Sequence, residues 1–137
     1  MDYTMNIQNS IDYIEENLRE KIKVSDVAKH SHFSQFYFHR LFHAVVGEPM
    51  MEYVRKRRLS EAAVELVKTD KKVTDIALAY QFSSLESFTR AFKKIYGMTP
   101  REYRNNQKNI VLYKKRIVFE ANSKLPVPAG AAIRMAA

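Results

Sequence analysis

The chain repeats itself. Val73, Thr74, Asp75, Ile76 and Ala77 match Val24, Ser25, Asp26, Val27 and Ala28 at an offset of 49, and Phe82-Ser83 match Phe33-Ser34. One extra residue then moves the offset to 50, where Phe88, Arg90, Phe92, Gly97 and Tyr103 match Phe38, Arg40, Phe42, Gly47 and Tyr53. The matches include helix caps, apolar positions and arginines that must face outward, so internal duplication explains them better than chance periodicity. A chain of 137 residues can hold one compact domain or two very small units sharing a connector, and the duplication selects the second.

The periodicity within each copy is helical. Ile7, Ile11, Ile14 and Leu18 predict a first amphipathic helix over Asn6 to Glu20, with its acids on the opposite face. Ser25 is a good N-cap for a short helix containing Val27 and Ala28, and Ser34 for a second. On that second helix Phe38, Leu41, Phe42 and Val45 make the face to be buried, which leaves Phe36, His39, Arg40 and His43 pointing the other way. Two short helices joined by a tight turn, the second with an exposed basic-aromatic face, describe a helix-turn-helix. The second copy repeats the arrangement, with Phe88, Phe92 and Ile95 inward and Glu86, Thr89, Arg90 and Lys93 outward.

Between the copies, Glu48 to Thr69 reads as one long connecting helix. Gly47 can end the preceding helix in a left-handed conformation, and Pro49 suits a first turn. Leu59, Ala62, Ala63, Leu66 and Val67 form its buried stripe. The expected fold is thus all-α, with about seven helices: a first unit over about 6–47, a connector over 48–69 and a second unit over about 72–106.

The formal net charge is +8, yet residues 1–20 hold Asp2, Asp12, Glu15, Glu16 and Glu20 against Arg19 alone. A basic excess segregated to the rest of the chain is the footprint expected of a nucleic-acid binder, although a generally basic surface would give the same total. A rod of about 20 residues is roughly 30 Å long, close to the roughly 34 Å at which major grooves recur on one face of B-DNA. The expectation is a monomer reading two successive major grooves of a non-palindromic site on double-stranded DNA. There are no cysteines, no apolar run of membrane-span length and no signal-peptide pattern, so the expected setting is cytoplasmic.

The run F-S-S-L-E-S-F-T-R-A-F-K-K-I-Y-G-M-T-P-R-E-Y-R, Phe82 to Arg104, resembles the signature of the AraC/XylS family of bacterial transcription regulators. The first unit, through Y-V-R-K-R-R-L-S-E-A-A, is similar to the other half of the same domain, and within the family the stress-response activators of the MarA/SoxS/Rob type look closest. The resemblance covers about residues 6–106. It implies recognition helices at about Ser34–Val46 and Ser84–Tyr96, and activation by recruiting RNA polymerase. It places base contacts at Phe36, His39, Arg40, Leu85, Glu86, Thr89 and Arg90. Phosphate contacts fall at Ser34, Gln35, Tyr37, Ser83, Lys93, Lys94 and Arg104.

The chemistry agrees in part. Arginine can donate two hydrogen bonds to guanine, glutamate can accept from cytosine, and an apolar side chain can pack on a thymine methyl. Alternatives stay open: Arg40 and Arg90 touching phosphate only, Glu86 serving the helix dipole, and Phe36 lying in the core. The cluster Arg55-Lys56-Arg57-Arg58 wraps around the connector, so one or two of its members can reach DNA while the others are solvated or pair with Glu52, Glu61 and Glu65. The family's turns usually carry glycine before the aromatic residue, where this chain has His32 and Gln81; a positive φ there would cost about 1 kcal/mol each.

The same residues give little support to other functions. His39 and His43 stand at i, i+4, but Arg40 follows His39 and no HExxH arrangement exists, so neither a metal site nor a catalytic site is expected. A helical protein-interaction module without DNA binding is the alternative of a different class. The basic tail, residues 107–137, has strand-prone stretches at Ile110–Tyr113 and Ile117–Phe119 and then loses all periodicity. It reads as disordered or packed only near 108–120, or as the start of a C-terminal ligand-sensing domain of a larger regulator. No effector pocket, and so no small-molecule effector or cofactor, is expected on this chain.

Overall fold

The computed structural model describes residues 3–106; the expectations for the tail lie outside them. The described residues form α1 (Thr4–Glu16), α2 (Val24–His30), α3 (Gln35–Val46), α4 (Met50–Lys68), α5 (Val73–Ala79), α6 (Leu85–Tyr96) and α7 (Pro100–Asn106), with no strand among them. None of these helices is long and apolar enough to cross a membrane. The chain divides into two compact units that meet inside α4, between Arg57 and Arg58.

In the first unit α1, α2 and α3 pack on one another. The buried set is Ile7, Ile11 and Ile14 of α1, Val27 and Ala28 of α2, Phe38, Phe42 and Val46 of α3, and Met50, Tyr53 and Val54 from the start of α4. α1 ends at Glu16, short of the expected Glu20, because Asn17 takes the cap and its Nδ2 donates to the Tyr13 carbonyl at 2.7 Å. Leu18 is still buried, from the loop that follows. Ser25 is not the cap of α2. The helix opens at Val24 after Lys23, with no side-chain cap, and Asp26 in the first turn supplies the negative charge that the helix N-terminus favours.

The second unit has its own core of Leu59, Ala62, Ala63 and Leu66 from α4, Ile76, Ala77 and Tyr80, Phe88 and Phe92 from α6, and Tyr103 from α7. Its ring geometry repeats that of the first unit. The Phe38–Phe42 centroids are 5.6 Å apart and Phe42–Tyr53 5.9 Å; Phe88–Phe92 are 5.7 Å apart and Phe92–Tyr103 5.4 Å.

α4 runs for 19 residues, about 28 Å. Pro49 stands just before it and not in its first turn; its carbonyl accepts from the N–H of Tyr53 at 3.1 Å. Gly47 ends α3 at φ 97°, the left-handed conformation that glycine adopts without a steric cost.

Both helix-turn-helix turns close in one way. After α2 the N–H of Phe33 donates to the Ala28 carbonyl and that of His32 to Lys29; after α5 Phe82 donates to Ala77 and Gln81 to Leu78. This pair of bonds is a Schellman motif, whose penultimate residue must turn left-handed. His32 and Gln81 do so, at φ 66° and 69°. Each therefore carries the strain that a glycine would relieve. His32→Gly is expected to stabilise the chain by about 0.5–1 kcal/mol, the left-handed penalty less glycine's extra freedom in the unfolded state. A higher denaturant midpoint at unchanged slope would show it; a lower midpoint would mean that the imidazole contributes more than its backbone costs.

Candidate nucleic-acid interface

α3 presents its outer face because Phe38, Phe42 and Val46 hold the other one down. Ser34 Oγ accepts from the Tyr37 N–H at 3.2 Å and so satisfies one of the open donors of the first turn. Gln35, Phe36, His39, Arg40 and His43 are exposed. Phe36, at 74% exposure, is not a core residue. Its ring lies under the Arg40 guanidinium, 5.7 Å from carbon to centroid, a cation–π arrangement one helical turn long.

Tyr37 is placed differently. Its ring meets Phe33 at 5.5 Å and Tyr3 at 5.8 Å, and Tyr3 meets Phe33 at 5.3 Å, all edge-on. Desolvation first, and then the charge and hydrogen bond of Tyr3, raise the Tyr37 phenol above its ordinary value. The hydroxyl stays protonated and can donate. Tyr3 precedes α1 and belongs to no repeat, so no periodic signal pointed to it.

α6 is fixed more firmly at its start. Ser84 and Ser87 cap each other: the Ser87 N–H donates to Ser84 Oγ at 3.1 Å and the Ser84 N–H to Ser87 Oγ at 3.2 Å. Leu85, Glu86, Arg90, Lys93 and Lys94 are exposed, and Thr89 is half-buried among them. Ser83 is exposed before the cap, with its Oγ 3.4 Å from that of Ser87.

Arg104 does not join this face. Its Nε donates to the Leu66 carbonyl at 2.8 Å and its Nη2 to that of Lys71 at 2.6 Å. The guanidinium ties α7 to the last turn of α4 and the loop beyond it, satisfying carbonyls that a helix end leaves open. With its Nε and Nη2 so engaged, Arg104 serves the fold and not the expected phosphate contact.

The basic cluster on the connector is also largely committed. Arg57 makes a two-pronged pair with Glu15 of α1, Nε to Oε2 at 2.8 Å and Nη2 to Oε1 at 2.9 Å. Lys56 pairs with Glu48 at 2.9 Å, and burial lowers the pKa of Arg58. Arg55, 3.4 Å from Glu52, has a partner that the helical spacing named. Glu65 lies 3.8 Å from Lys71, beyond the helix. Glu15 thus does not share the outward placement expected of the acids of α1. Among the described residues no three of His, Cys, Asp or Glu are arranged to hold a metal ion.

The helix-turn-helix domain family HTH_18 matches residues 27–106. A transcriptional regulator with an AraC-type DNA-binding domain from Chromobacterium violaceum superimposes with a TM-score of 0.72 at 28% identity, over 75% of this chain and 92% of that one. The chain belongs to the AraC-type helix-turn-helix family. Members of the AraC-type family are DNA-binding transcription regulators, and activators are among them. The HTH-type transcriptional activator AarP of Providencia stuartii is 45% identical over 92 residues, 67% of this chain and 68% of AarP. YbfP of Bacillus subtilis (strain 168), an HTH-type transcriptional regulator, is 44% identical over 124 residues, 90% of this chain. The chain spans 42% of the length of YbfP.

Proposed function

We propose that this AraC-type chain is a sequence-specific activator of transcription that binds double-stranded DNA as a monomer in the cytoplasm. α3 and α6 enter successive major grooves, and RNA polymerase is recruited beside them. The observation that carries this reading is a pair of exposed, serine-capped helices of 12 residues each, with Arg40 and Arg90 at the same place on both. Phe36, His39, Arg40, Leu85, Glu86, Thr89 and Arg90 face bases. Ser34, Gln35, Tyr37, Ser83, Lys93 and Lys94 face phosphates, where N–H groups at a helix start and fixed cations hold anions well. The amount of protein, and not a bound small molecule, sets its activity.

A second reading, the DNA-binding part of a longer ligand-sensing regulator, is favoured by the fraction of YbfP that the chain spans. A ligand that shifts DNA affinity in calorimetry would select it.

Selection from random duplexes, followed by sizing of the complex, tests the main reading. It should return a non-palindromic site with two preferred blocks about one helical turn apart, occupied by one chain. Arg40→Ala and Arg90→Ala should each relax preference within one block, at about 1–3 kcal/mol apiece. Equal losses on every sequence would make these arginines phosphate contacts, and no enrichment at all would favour a protein-interaction module.

A further inference from the structure

The two outward helices share a frame and differ in charge. Each is 12 residues long, follows a serine cap and ends at a left-handed glycine. The Gly47 N–H donates to the His43 carbonyl at 2.9 Å, and the Gly97 N–H donates to that of Lys93 at 2.8 Å. His43 and Lys93 therefore hold the same position in the last turn, and both side chains are exposed. By the same register Ala44 stands where α6 has Lys94, and His39 where it has Thr89. α6 offers three permanent cations, Arg90, Lys93 and Lys94. α3 offers one, Arg40, and two imidazoles.

His39, Arg40, His43 and Ala44 line a single shallow groove to which α1, α2 and α4 contribute no side chain. The charged and titratable groups of those elements in this unit are Asp12, Tyr13, Glu15 and Glu16 of α1, Asp26, Lys29 and His30 of α2, and Glu52, Tyr53, Arg55, Lys56 and Arg57 of α4. Glu15 is held by Arg57, Glu52 by Arg55, and Lys56 by Glu48, while the His30 ring lies 4.7 Å from Tyr13. No hydrogen bond, ion pair or ring contact joins any described residue to the imidazole of His39 or His43. Among the described residues, what faces the pair in that groove is Arg40.

On the DNA-binding reading above, we infer that His43 is a further phosphate-contacting residue, and that with His39 it makes the hold of α3 on DNA depend on protonation. Histidine gains its positive charge between about pH 8 and pH 5, and a protonated imidazole donates from both nitrogens. A polyanion next to the pair favours that form, so binding takes up protons. α6 needs none. The first unit thus reads its block more tightly as pH falls, while the second holds the backbone at constant strength.

The test is DNA affinity of the full chain on its selected duplex, by fluorescence anisotropy between about pH 8 and pH 5.5, with circular dichroism confirming the fold throughout. The wild type should tighten roughly ten-fold, well inside the limit of about one decade per pH unit for each proton taken up. Its slope of log affinity against log salt should steepen by about 0.9 for each phosphate neutralised. His43→Gln should lose about half of the logarithmic gain, and His43→Lys should bind tightly already at the alkaline end. If His39→Asn with His43→Gln keeps the wild-type dependence on pH, or the salt slope is the same at both ends, the inference is overturned while DNA binding stands. If the wild type binds no duplex at any pH, the DNA-binding reading itself falls.

Discussion

Phe92→Ala is expected to destabilise the second unit by about 3–5 kcal/mol, the range found for removing a buried aromatic ring. Phe92 is fully buried and forms the hub of the unit's aromatic contacts, with ring centroids 5.7 Å from Phe88, 4.5 Å from Tyr96 and 5.4 Å from Tyr103. Those partners sit on α6 itself and on α7, so they cannot close the void without moving a helix. A domain of this size is stable by only about 5–15 kcal/mol, so one ring is a large share. Urea unfolding of the full chain measures it, with Phe92→Leu as the milder comparison. A loss below about 1 kcal/mol for the alanine variant would show that the cluster collapses freely around the gap, contrary to its packing.

Glu15→Ala should rank beside it. The Glu15 and Arg57 side chains are 16% and 7% exposed, so the pair is shielded from the screening that weakens surface ion pairs. Guanidinium cannot shed its proton, and removing the carboxylate takes away the two-pronged acceptor of a buried cation, a loss of about 3–5 kcal/mol. The double replacement Glu15→Leu with Arg57→Met should recover most of that, because an apolar pair of similar volume often matches a buried ion pair. A small loss in the single variant, or a double variant no better than the single, would mean that water reaches the pair.

The contrast between these two residues shows what the sequence carries. Phe92 was legible because burial follows a helical period, and the offset of 50 matched it to Phe42. Ser34, Gly47 and the exposure of Arg40 and Arg90 were legible for the same local reason. His32 and Gln81 were legible as absences, since a turn that needs a left-handed residue shows where glycine is missing. Arg57 was not. The helical spacing offered Glu61, and gave no sign of the two-pronged pair with Glu15, 42 positions away on a helix whose acids were expected to face solvent. Arg104 misled in the same way: a long cation near an interface reads as a phosphate contact until the carbonyls it satisfies are seen. Ser25 misled because serine is a good cap, yet an aspartate in the first turn serves the same end.

The repeated frame of serine, paired phenylalanines and left-handed glycine has one more consequence. All of its members are structural, and none of them is a residue proposed to read a base. Each unit also has its own buried core, so α3 and α6 behave as two cassettes whose outward residues vary without disturbing the sockets that hold them. On the proposed two-groove reading, duplication of such a cassette gives a lineage two letters to revise independently, and a half-site can drift, or be redesigned, while its twin keeps the protein on DNA.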